Sequence, residues 1–390
     1  MQPEVTSPAG ARVAPLPAGA WSRLREGWAE AGEGSRCLFT FDLEGRLVEA
    51  FVDGAGIRRG LDHRFLERRR DPQAVGLSRR RRRWLSPDEA RRVVEQALAV
   101  VEAAARAGFP PIRAMDWEAL RADAGHFARV YRPIGILPPD QYLSVVVQLT
   151  SGCWYNRCTF CTFYRDRPFE VRPLPAFRRH LEEVRAFFGR GLARRHTVFL
   201  GDANALVLPA PRLAAYLEAV AEALPDRPVY GFLDAFSGRR KTAADWAALA
   251  RLGLAGVYIG LESGSDRLLR WLEKPGQAAD AVATVRALKE AGVAVGVILL
   301  VGAGGRAFAD EHVRASIEAV NAMGLGPGDR LYLSPLVVAP GSLYQRRAEA
   351  DGVEPLSPQE QRAQAEALLA GIRLGRGARW SYYFVEEFLY

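Results

Sequence analysis

A short run in the first half of the chain, TSGCWYNRCTFC at residues 150–161, decides how the fold is interpreted. It contains three of the four cysteines, Cys153, Cys158 and Cys161, in a C-x4-C-x2-C spacing. Three thiolates on one short loop can ligate three irons of a four-iron, four-sulfur cluster and leave the fourth iron open to a non-protein ligand. The spacing therefore predicts a 4Fe-4S cluster with one open iron.

A structural zinc site or a closed iron–sulfur site is the alternative interpretation of the same cysteines. Either one would need a fourth Cys or His ligand. The nearest histidine, His180, follows a polar linker and falls in a predicted helix. The remaining cysteine, Cys37, falls in a predicted strand, where a lone thiol is more often an inert apolar residue than a ligand. The sequence favours the open cluster and keeps zinc as the alternative.

The cysteine run follows the first of six apolar, strand-like runs that alternate with helix-like segments. Continuous stretches of Val, Ile and Leu are typical of parallel strands that are buried on both faces. The strand-like runs are residues 142–149, 197–201, 229–235, 257–261, 293–301 and 331–336, and the helix-like segments are 174–189, 211–224, 242–252, 265–290, 308–323 and 358–373. The alternation predicts an α/β fold, a partial (βα)6 TIM-like barrel over residues 141–340.

The segment before the barrel, residues 36–140, is predicted to be a small N-terminal α+β accessory region. It contains a hairpin over 37–52, then a basic segment, then a helix near 86–108. Ser86 and Glu89 form a capping box at the start of that helix, with proline at the first helical position.

The two ends of the chain carry different expectations. Residues 1–35 have repeated Pro-Ala-Gly stretches, so we expect a flexible arm with one short helix near residues 21–30. Residues 341–390 are predicted to form a helix followed by an aromatic tail that packs on the barrel as a strand or a cover.

Charge and hydropathy restrict the partners and the location. The 390 residues have a net charge of +8, and almost all of the positive charge is arginine, with basic runs at 68–70 and 79–83. Because the arginine bias runs through the chain, a solvated or acid-paired surface is favoured over a nucleic-acid site. The sequence has no uncharged apolar run of 18 residues and no signal-like start, so we expect a cytoplasmic protein with no membrane segment.

Residues 141–340 resemble the radical S-adenosylmethionine superfamily, closest to its branch with oxygen-independent coproporphyrinogen oxidase, the Elongator catalytic subunit and the methylthiotransferases. The cysteine loop follows strand one, FLGDAN (199–204) follows strand two, and IGLESGS (259–265) follows strand four. All three lie at C-terminal strand ends, where parallel barrels place their active sites. The resemblance implies an enzyme whose 4Fe-4S cluster reductively cleaves S-adenosylmethionine to a 5′-deoxyadenosyl radical, which abstracts hydrogen from a substrate.

The resemblance also implies roles for residues of the cysteine loop. Cys153, Cys158 and Cys161 would ligate the cluster. Phe160 would pack near the cofactor, and the backbone of Phe163 would meet the adenine. The loop departs from the family pattern because four residues, rather than three, separate its first two cysteines.

The strand ends carry the other implied cofactor contacts. Following Gly201, either Asp202 or Asn204 would meet the methionine amino group, although residues 201–203 stand where many members have Gly-Gly-Glu. Glu262 would contact the ribose or the amino-acid portion. The backbone near three further residues would flank the adenine: Val301, Gly302 and Leu336.

The leading hypothesis is a radical enzyme that acts on a small-molecule substrate. Since no cysteines remain for a second cluster, a flavodoxin or ferredoxin would deliver the electron. Two alternatives stay open: an RNA-modifying radical enzyme that binds phosphate through its arginine-rich N-terminal region, and a non-catalytic iron–sulfur or zinc scaffold.

Overall fold

The computed structural model describes residues 5–6, 12–13, 22–25, 37–106, 108–109 and 111–390. In these ranges the N-terminal part contains an eight-stranded antiparallel sheet in which each strand pairs with the next. The strands are β1 (Val5–Thr6), β2 (Arg12–Val13), β3 (Ser22–Arg25), β4 (Cys37–Phe41), β5 (Leu47–Val52), β6 (Ala55–Arg59), β7 (Phe65–Arg70) and β8 (Arg80–Trp84).

The hairpin predicted over residues 37–52 is confirmed as β4 and β5, with Cys37 buried in β4. The helix predicted near residues 21–30 is wrong for residues 22–25, which form strand β3. The rest of the predicted arm, apart from β1 and β2, lies outside the described residues.

Strands β7 and β8 carry the two basic runs, which the sequence did not identify as strands. Their register sets Arg68 opposite Arg82 and Arg69 opposite Arg81. Like charges that face each other across a sheet are destabilising. Acidic side chains offset this repulsion, as Asp71 does for Arg81 at 2.7 Å. The runs therefore form an acid-paired surface.

Two helices cover the accessory sheet, α1 (Pro87–Arg106) and α2 (Trp117–Val130). The capping box predicted for α1 is confirmed, since the Ser86 N–H donates to Glu89 at 2.8 Å and the Glu89 N–H donates to the Ser86 hydroxyl at 3.3 Å. Helix α2 was not predicted from the sequence. Apolar residues of α1, and Leu120 of α2, pack with the aromatic side chains of the sheet in one buried core.

The C-terminal part is built on a parallel sheet of seven strands in the order β17-β16-β15-β14-β13-β12-β9. They are β9 (Val145–Gln148), β12 (Val198–Gly201), β13 (Val229–Leu233), β14 (Leu254–Glu262), β15 (Ala294–Val301), β16 (Arg330–Pro335) and β17 (Arg379–Tyr382), with the short pair β10 (Thr150–Ser151) and β11 (Glu170–Val171) beside them. All six predicted runs are strands of this sheet. The tail adds a seventh, and since β9 and β17 do not pair, the barrel is partial.

Nine helices of the described residues belong to this part. They are α3 (Leu174–Phe188), α4 (Ala210–Ala223), α5 (Ala235–Gly238), α6 (Ala243–Arg251), α7 (Asp266–Trp271), α8 (Ala278–Glu290), α9 (Gly305–Met323), α10 (Leu343–Ala350) and α11 (Pro358–Gly371). The single helix predicted over 265–290 is two helices, because Pro275 and the left-handed Gly276 (φ +86°) interrupt it. Across the described ranges, every helix is too short or too polar to cross a bilayer.

Arg46 links the accessory region to the barrel through a buried ionic network. Its guanidinium donates to both oxygens of Asp123 at 2.9 Å, to Asp42 at 3.1 Å and to the carbonyl of Phe187 in α3 at 2.7 Å. Burial acts to lower the pKa of Arg46, but the bonds and charges of Asp123 and Asp42 raise it above the ordinary value. Arginine therefore stays charged here.

Replacement of Arg46 by Ala should leave Asp42 without its cation and the buried Asp123 with only Arg59, 3.8 Å away. We expect this to lower the free energy of unfolding by about 3–5 kcal/mol. Arg121→Ala is the control, since Arg121 is 59% exposed and pairs with Glu118 on the same helix; its loss should cost at most about 1 kcal/mol. Urea denaturation of both variants checks this. Equal midpoints for the two variants would contradict a structural role for the network.

Candidate active site

A cavity of about 410 Å³ lies at the carboxyl ends of the parallel strands. The cysteine loop and the residues at the ends of β12 to β16 form most of its wall. Cys153, Cys158 and Cys161 all line this one cavity. The structure therefore brings the three predicted cluster ligands to one place, at the edge where parallel sheets bind ligands.

The cysteine loop is held at its two ends and near its middle. Strands β10 and β11 pair in an antiparallel manner and join the ends. Gly152 has φ +73°, and a Cβ there would lie 2.5 Å from the Pro168 carbonyl oxygen, so a larger residue does not fit. Between the last two cysteines, the N–H and the hydroxyl of Thr159 donate to the carbonyl of Leu272 at 2.9 and 3.2 Å.

Arg165 places a positive charge on the outer side of this loop. Its guanidinium donates to the carbonyl of Cys158 at 2.7 Å and to the carbonyl of Cys161 at 3.2 Å. The side chain is exposed, and so is Arg157 beside Cys158. The cysteine backbone is thus fixed by a cation that solvent can reach.

Asp202 braces the cysteine loop and does not line the cavity. One carboxylate oxygen accepts from Gln148 at 3.1 Å and the other accepts the backbone N–H of Gly152 at 3.2 Å. Arg167 lies 3.7 Å from the same carboxylate. Burial raises the pKa of Asp202 above its usual value, against the Gln148 hydrogen bond and the Arg167 charge. Its position is that of a support for the loop.

Asn204, by contrast, lines the cavity and keeps a free acceptor. Its amide nitrogen donates to Asp234, while its buried Oδ1 atom has no partner. Asp234 follows β13 and also accepts the indole N–H of Trp154 at 2.8 Å and the N–H of Ser237 at 2.7 Å. The Asp234 carboxylate therefore fixes Trp154 and Asn204, and leaves the Asn204 oxygen to meet a donor.

Glu262 and Lys274 form an ion pair of 3.1 Å in the cavity wall. Glu262 has φ +63°, which is unfavourable for a residue with a side chain, and it sits where the register of β14 and β15 shifts. Burial acts to lower the pKa of Lys274, but the neighbouring Glu262 and Cys158 raise it above its ordinary value. Lys274 is therefore a charged ammonium inside a largely apolar cavity.

The other predicted positions divide into two groups. Phe160, Phe163 and Leu336 line the cavity. Gly201, Val301 and Gly302 are buried outside its lining, with the Val301 carbonyl accepting the Leu336 N–H at 2.8 Å and the Gly302 N–H donating to Gln364 at 2.7 Å.

Sequence reasoning missed several residues of the cavity. Asp234 fell inside the predicted strand-like run 229–235, whereas Asp202 and Glu262 come directly after predicted strands. The strand in fact ends at Leu233, so Asp234 follows it. Lys274 is one of only three lysines in the chain. Its partner Glu262 lies twelve residues earlier in the sequence, and only the folded structure shows that the two side chains meet. Tyr383, Val385 and Glu386 reach the cavity from the C-terminal tail. The tail was predicted to pack on the barrel as a strand or a cover, but none of its residues was named.

A parallel α/β sheet with a cysteine-bearing loop and a cavity at its carboxyl edge defines the class of this protein. Residues 147–320 match the Radical SAM superfamily. This match covers somewhat less than half of the chain, and enzymes of this superfamily use a 4Fe-4S cluster and S-adenosylmethionine. No match was found among curated proteins.

Solved structures with a related course of the chain include coproporphyrinogen III oxidase (HemN) from Escherichia coli, with 16% identity and a TM-score of 0.47 over 64% of this chain and 54% of that one. Another is the methyltransferase TsrM from Kitasatospora setae with cobalamin and a [4Fe-4S] cluster bound, with 18% identity and a TM-score of 0.45 over 63% of this chain and 57% of that one. The present chain thus spans little more than half the length of either protein.

The residues present fit the two cofactors of the superfamily. The three cysteines are free thiols that line one cavity. Among the described residues, no group of three or more His, Cys, Asp or Glu is placed to hold a single metal ion, whereas a cluster takes each thiolate on a different iron. Burial raises the pKa of Cys158 to about 12, so a bound cluster must displace its proton.

Replacement of Asp202 by Ala should loosen the start of the cysteine loop, because the Gly152 N–H loses its acceptor and Arg167 loses one of its two carboxylate partners. We expect reconstituted protein to lose iron to a chelator several-fold faster than the parent. Asp166→Ala is the control, since Asp166 is 60% exposed and pairs with the same Arg167. Equal rates of iron loss in the two variants would show that Asp202 does not support the loop.

Proposed function

We propose that this chain is a radical S-adenosylmethionine enzyme in which Cys153, Cys158 and Cys161 ligate a 4Fe-4S cluster. The observation that carries the proposal is that three thiols of one loop line a single cavity at the carboxyl edge of the sheet. The same cavity holds a buried cation and an unpartnered acceptor, which suit the carboxylate and the amino group of a bound methionine moiety.

When bound, the reduced cluster supplies one electron that breaks the C5′–S bond of S-adenosylmethionine, giving methionine and a 5′-deoxyadenosyl radical that takes a hydrogen atom from the substrate. Lys274 offers its ammonium to the methionine carboxylate. The free Oδ1 of Asn204 accepts from the methionine amino group. Glu262, held by Lys274, is left with one oxygen for a ribose hydroxyl, which matches the role that the resemblance assigns to it.

The apolar wall has a separate task. Phe160, Phe163 and Leu336 offer surface for the adenine, and Ile298 and Leu300 of β15 extend that surface. Side chains of this kind exclude water and dissolved molecules from the space around the cofactor.

We propose a small-molecule substrate and a flavodoxin or ferredoxin as electron donor, in a cytoplasmic setting. A cavity of about 410 Å³ has room for a metabolite-sized group beside the cofactor. The arginine run of β8 is engaged by carboxylates, for example Arg83 with Glu67 and Glu89, which leaves less charge for RNA phosphates. Cys37 is buried in β4, away from the loop, so the four cysteines support one cluster.

Protein reconstituted without oxygen and reduced should convert S-adenosylmethionine to 5′-deoxyadenosine and methionine, slowly even without substrate. Replacement of Cys153, Cys158 and Cys161 by Ala should abolish both the iron content, about four per chain, and the product. Cys37→Ala is the control and should retain both. Iron analysis and chromatography check this; stoichiometric zinc without iron would refute the cluster, and a full cluster without product would favour the scaffold.

The cluster potential should depend on Arg165, because a cation bonded to two cysteine carbonyls favours the more negative, reduced cluster. Arg165→Gln should shift the midpoint potential of the reconstituted cluster to a more negative value. Arg157→Gln is the control, since Arg157 is exposed on the same loop and makes no hydrogen bond to a cysteine carbonyl in the described residues. A potentiometric titration followed by electron paramagnetic resonance measures both; identical midpoints would contradict this role for Arg165.

A further inference from the structure

The C-terminal tail forms part of the cavity wall, although it lies outside the part of the chain that matches the superfamily. After β17 the N–H of Tyr383 donates to the Leu333 carbonyl at 3.0 Å, and the Tyr383 hydroxyl donates to the Leu137 carbonyl at 2.6 Å. Tyr383, Val385 and Glu386 then face the cavity. The tail therefore covers a region that the seven strands leave open.

The far end of the tail is also tied to the structure. The hydroxyl of Tyr390 donates to the Ser144 carbonyl at 3.0 Å and accepts the Val146 N–H at 2.9 Å, both at β9. The tail thus leaves β17 at one edge of the open sheet and ends on β9 at the other edge. It bridges the gap between these two edge strands, which do not pair with each other.

Between these fixed points, Arg82 of the accessory sheet makes three contacts with the tail. Arg82 of β8 donates to Glu386 at 2.7 Å and to Glu387 at 3.0 Å, and its guanidinium lies 4.7 Å from the centre of the Phe384 ring. The Arg82 side chain is only 14% exposed. A planar guanidinium can hold two carboxylates and stack on a ring at once, which a lysine cannot reproduce.

Arg83, the next residue of the strand, gives a useful contrast. It also makes two ion pairs, with Glu67 at 2.9 Å and Glu89 at 2.7 Å, but both partners belong to the accessory region. Arg68 adds a weaker contact to the tail, 3.4 Å from Glu387. Within β8, the contact with the cavity wall is therefore concentrated in Arg82.

We propose that Arg82 is a positioning residue for the reaction cavity: through Phe384, Glu386 and Glu387 it holds the tail in place as a wall. The accessory sheet then serves the chemistry by enclosing it. Enclosure matters for a radical enzyme, because a primary carbon radical takes a hydrogen atom from any C–H or S–H donor within reach, so a thiol or other small organic molecule that enters would react in place of the substrate. This role in catalysis rests on the proposed function, whereas the attachment of the wall does not.

The test compares the full-length, cluster-free parent with Arg82→Gln, Arg82→Lys and the matched control Arg83→Gln. Hydrogen exchange, read by mass spectrometry, reports the backbone of residues 383–390. N-ethylmaleimide at one fixed pH reports access to the cavity, since Cys153, Cys158 and Cys161 line it and the buried Cys37 serves as internal reference. Neither readout needs a cluster, so a failure to bind iron would count against the proposed function alone.

Arg82→Gln should raise exchange in residues 383–390 by about tenfold, the effect of one lost charge-assisted hydrogen bond. It should also speed alkylation of the three cavity cysteines several-fold and leave that of Cys37 unchanged. Arg82→Lys should lie between the parent and Arg82→Gln, and Arg83→Gln should behave as the parent. Glu387→Gln, which removes the negative charge from the tail side of this contact, should reproduce a weaker form of the Arg82→Gln result.

Two results would overturn the proposal. One is the same exchange and alkylation in Arg82→Gln and Arg83→Gln. The other is faster exchange of the tail in Arg82→Gln with unchanged alkylation of the cavity cysteines, since the tail would then be anchored by Arg82 without acting as a wall.

Discussion

The carboxylate of Asp202 accepts the backbone N–H of Gly152 at 3.2 Å, and this bond ties the end of β12 to the start of the cysteine loop. A loop of this length can adopt many conformations. Its three thiols share one cavity only if most of these conformations are excluded. The β10–β11 pair, Thr159 and Arg165 restrict the rest of the loop. The position of every proposed cofactor contact then follows from a parallel sheet whose strand ends surround the same space.

Two ionic arrangements of opposite type support this geometry. The network around Arg46 is buried, so it contributes by satisfying groups that would otherwise be costly, and it fixes α3 against the accessory region. The pair of Glu262 and Lys274 lies in the cavity wall, where, against the effect of burial, Glu262 raises the pKa of Lys274 and each side chain orients the other. In both arrangements a charged group is stabilised by its partner at a buried position where an unpaired charge would be unfavourable.

The parallel strands could be predicted because burial on both faces demands continuous apolar runs, as in β9 and β15. Strands β7 and β8 could not, since their arginines give no apolar alternation and only Phe65 and Leu66 of β7 are buried. Asp202 was predicted as a site residue because it follows a strand. The orientation of its carboxylate is set by Gln148 and Arg167, which only the fold brings near. Glu262 was predicted as a site residue because it directly follows a predicted strand. It reaches the cavity because its backbone is in the left-handed region, which the sequence does not predict.

Arg82 and Glu387 are 305 residues apart in the chain. During synthesis β8 leaves the ribosome first, and its arginine lacks its carboxylate partners until the whole parallel sheet has been made. The contact that encloses the cavity thus forms only after the strands that build the cavity. A truncated or stalled product could carry the cysteine loop and still have no closed compartment, so order of synthesis alone keeps a reactive centre from being enclosed before its scaffold is complete.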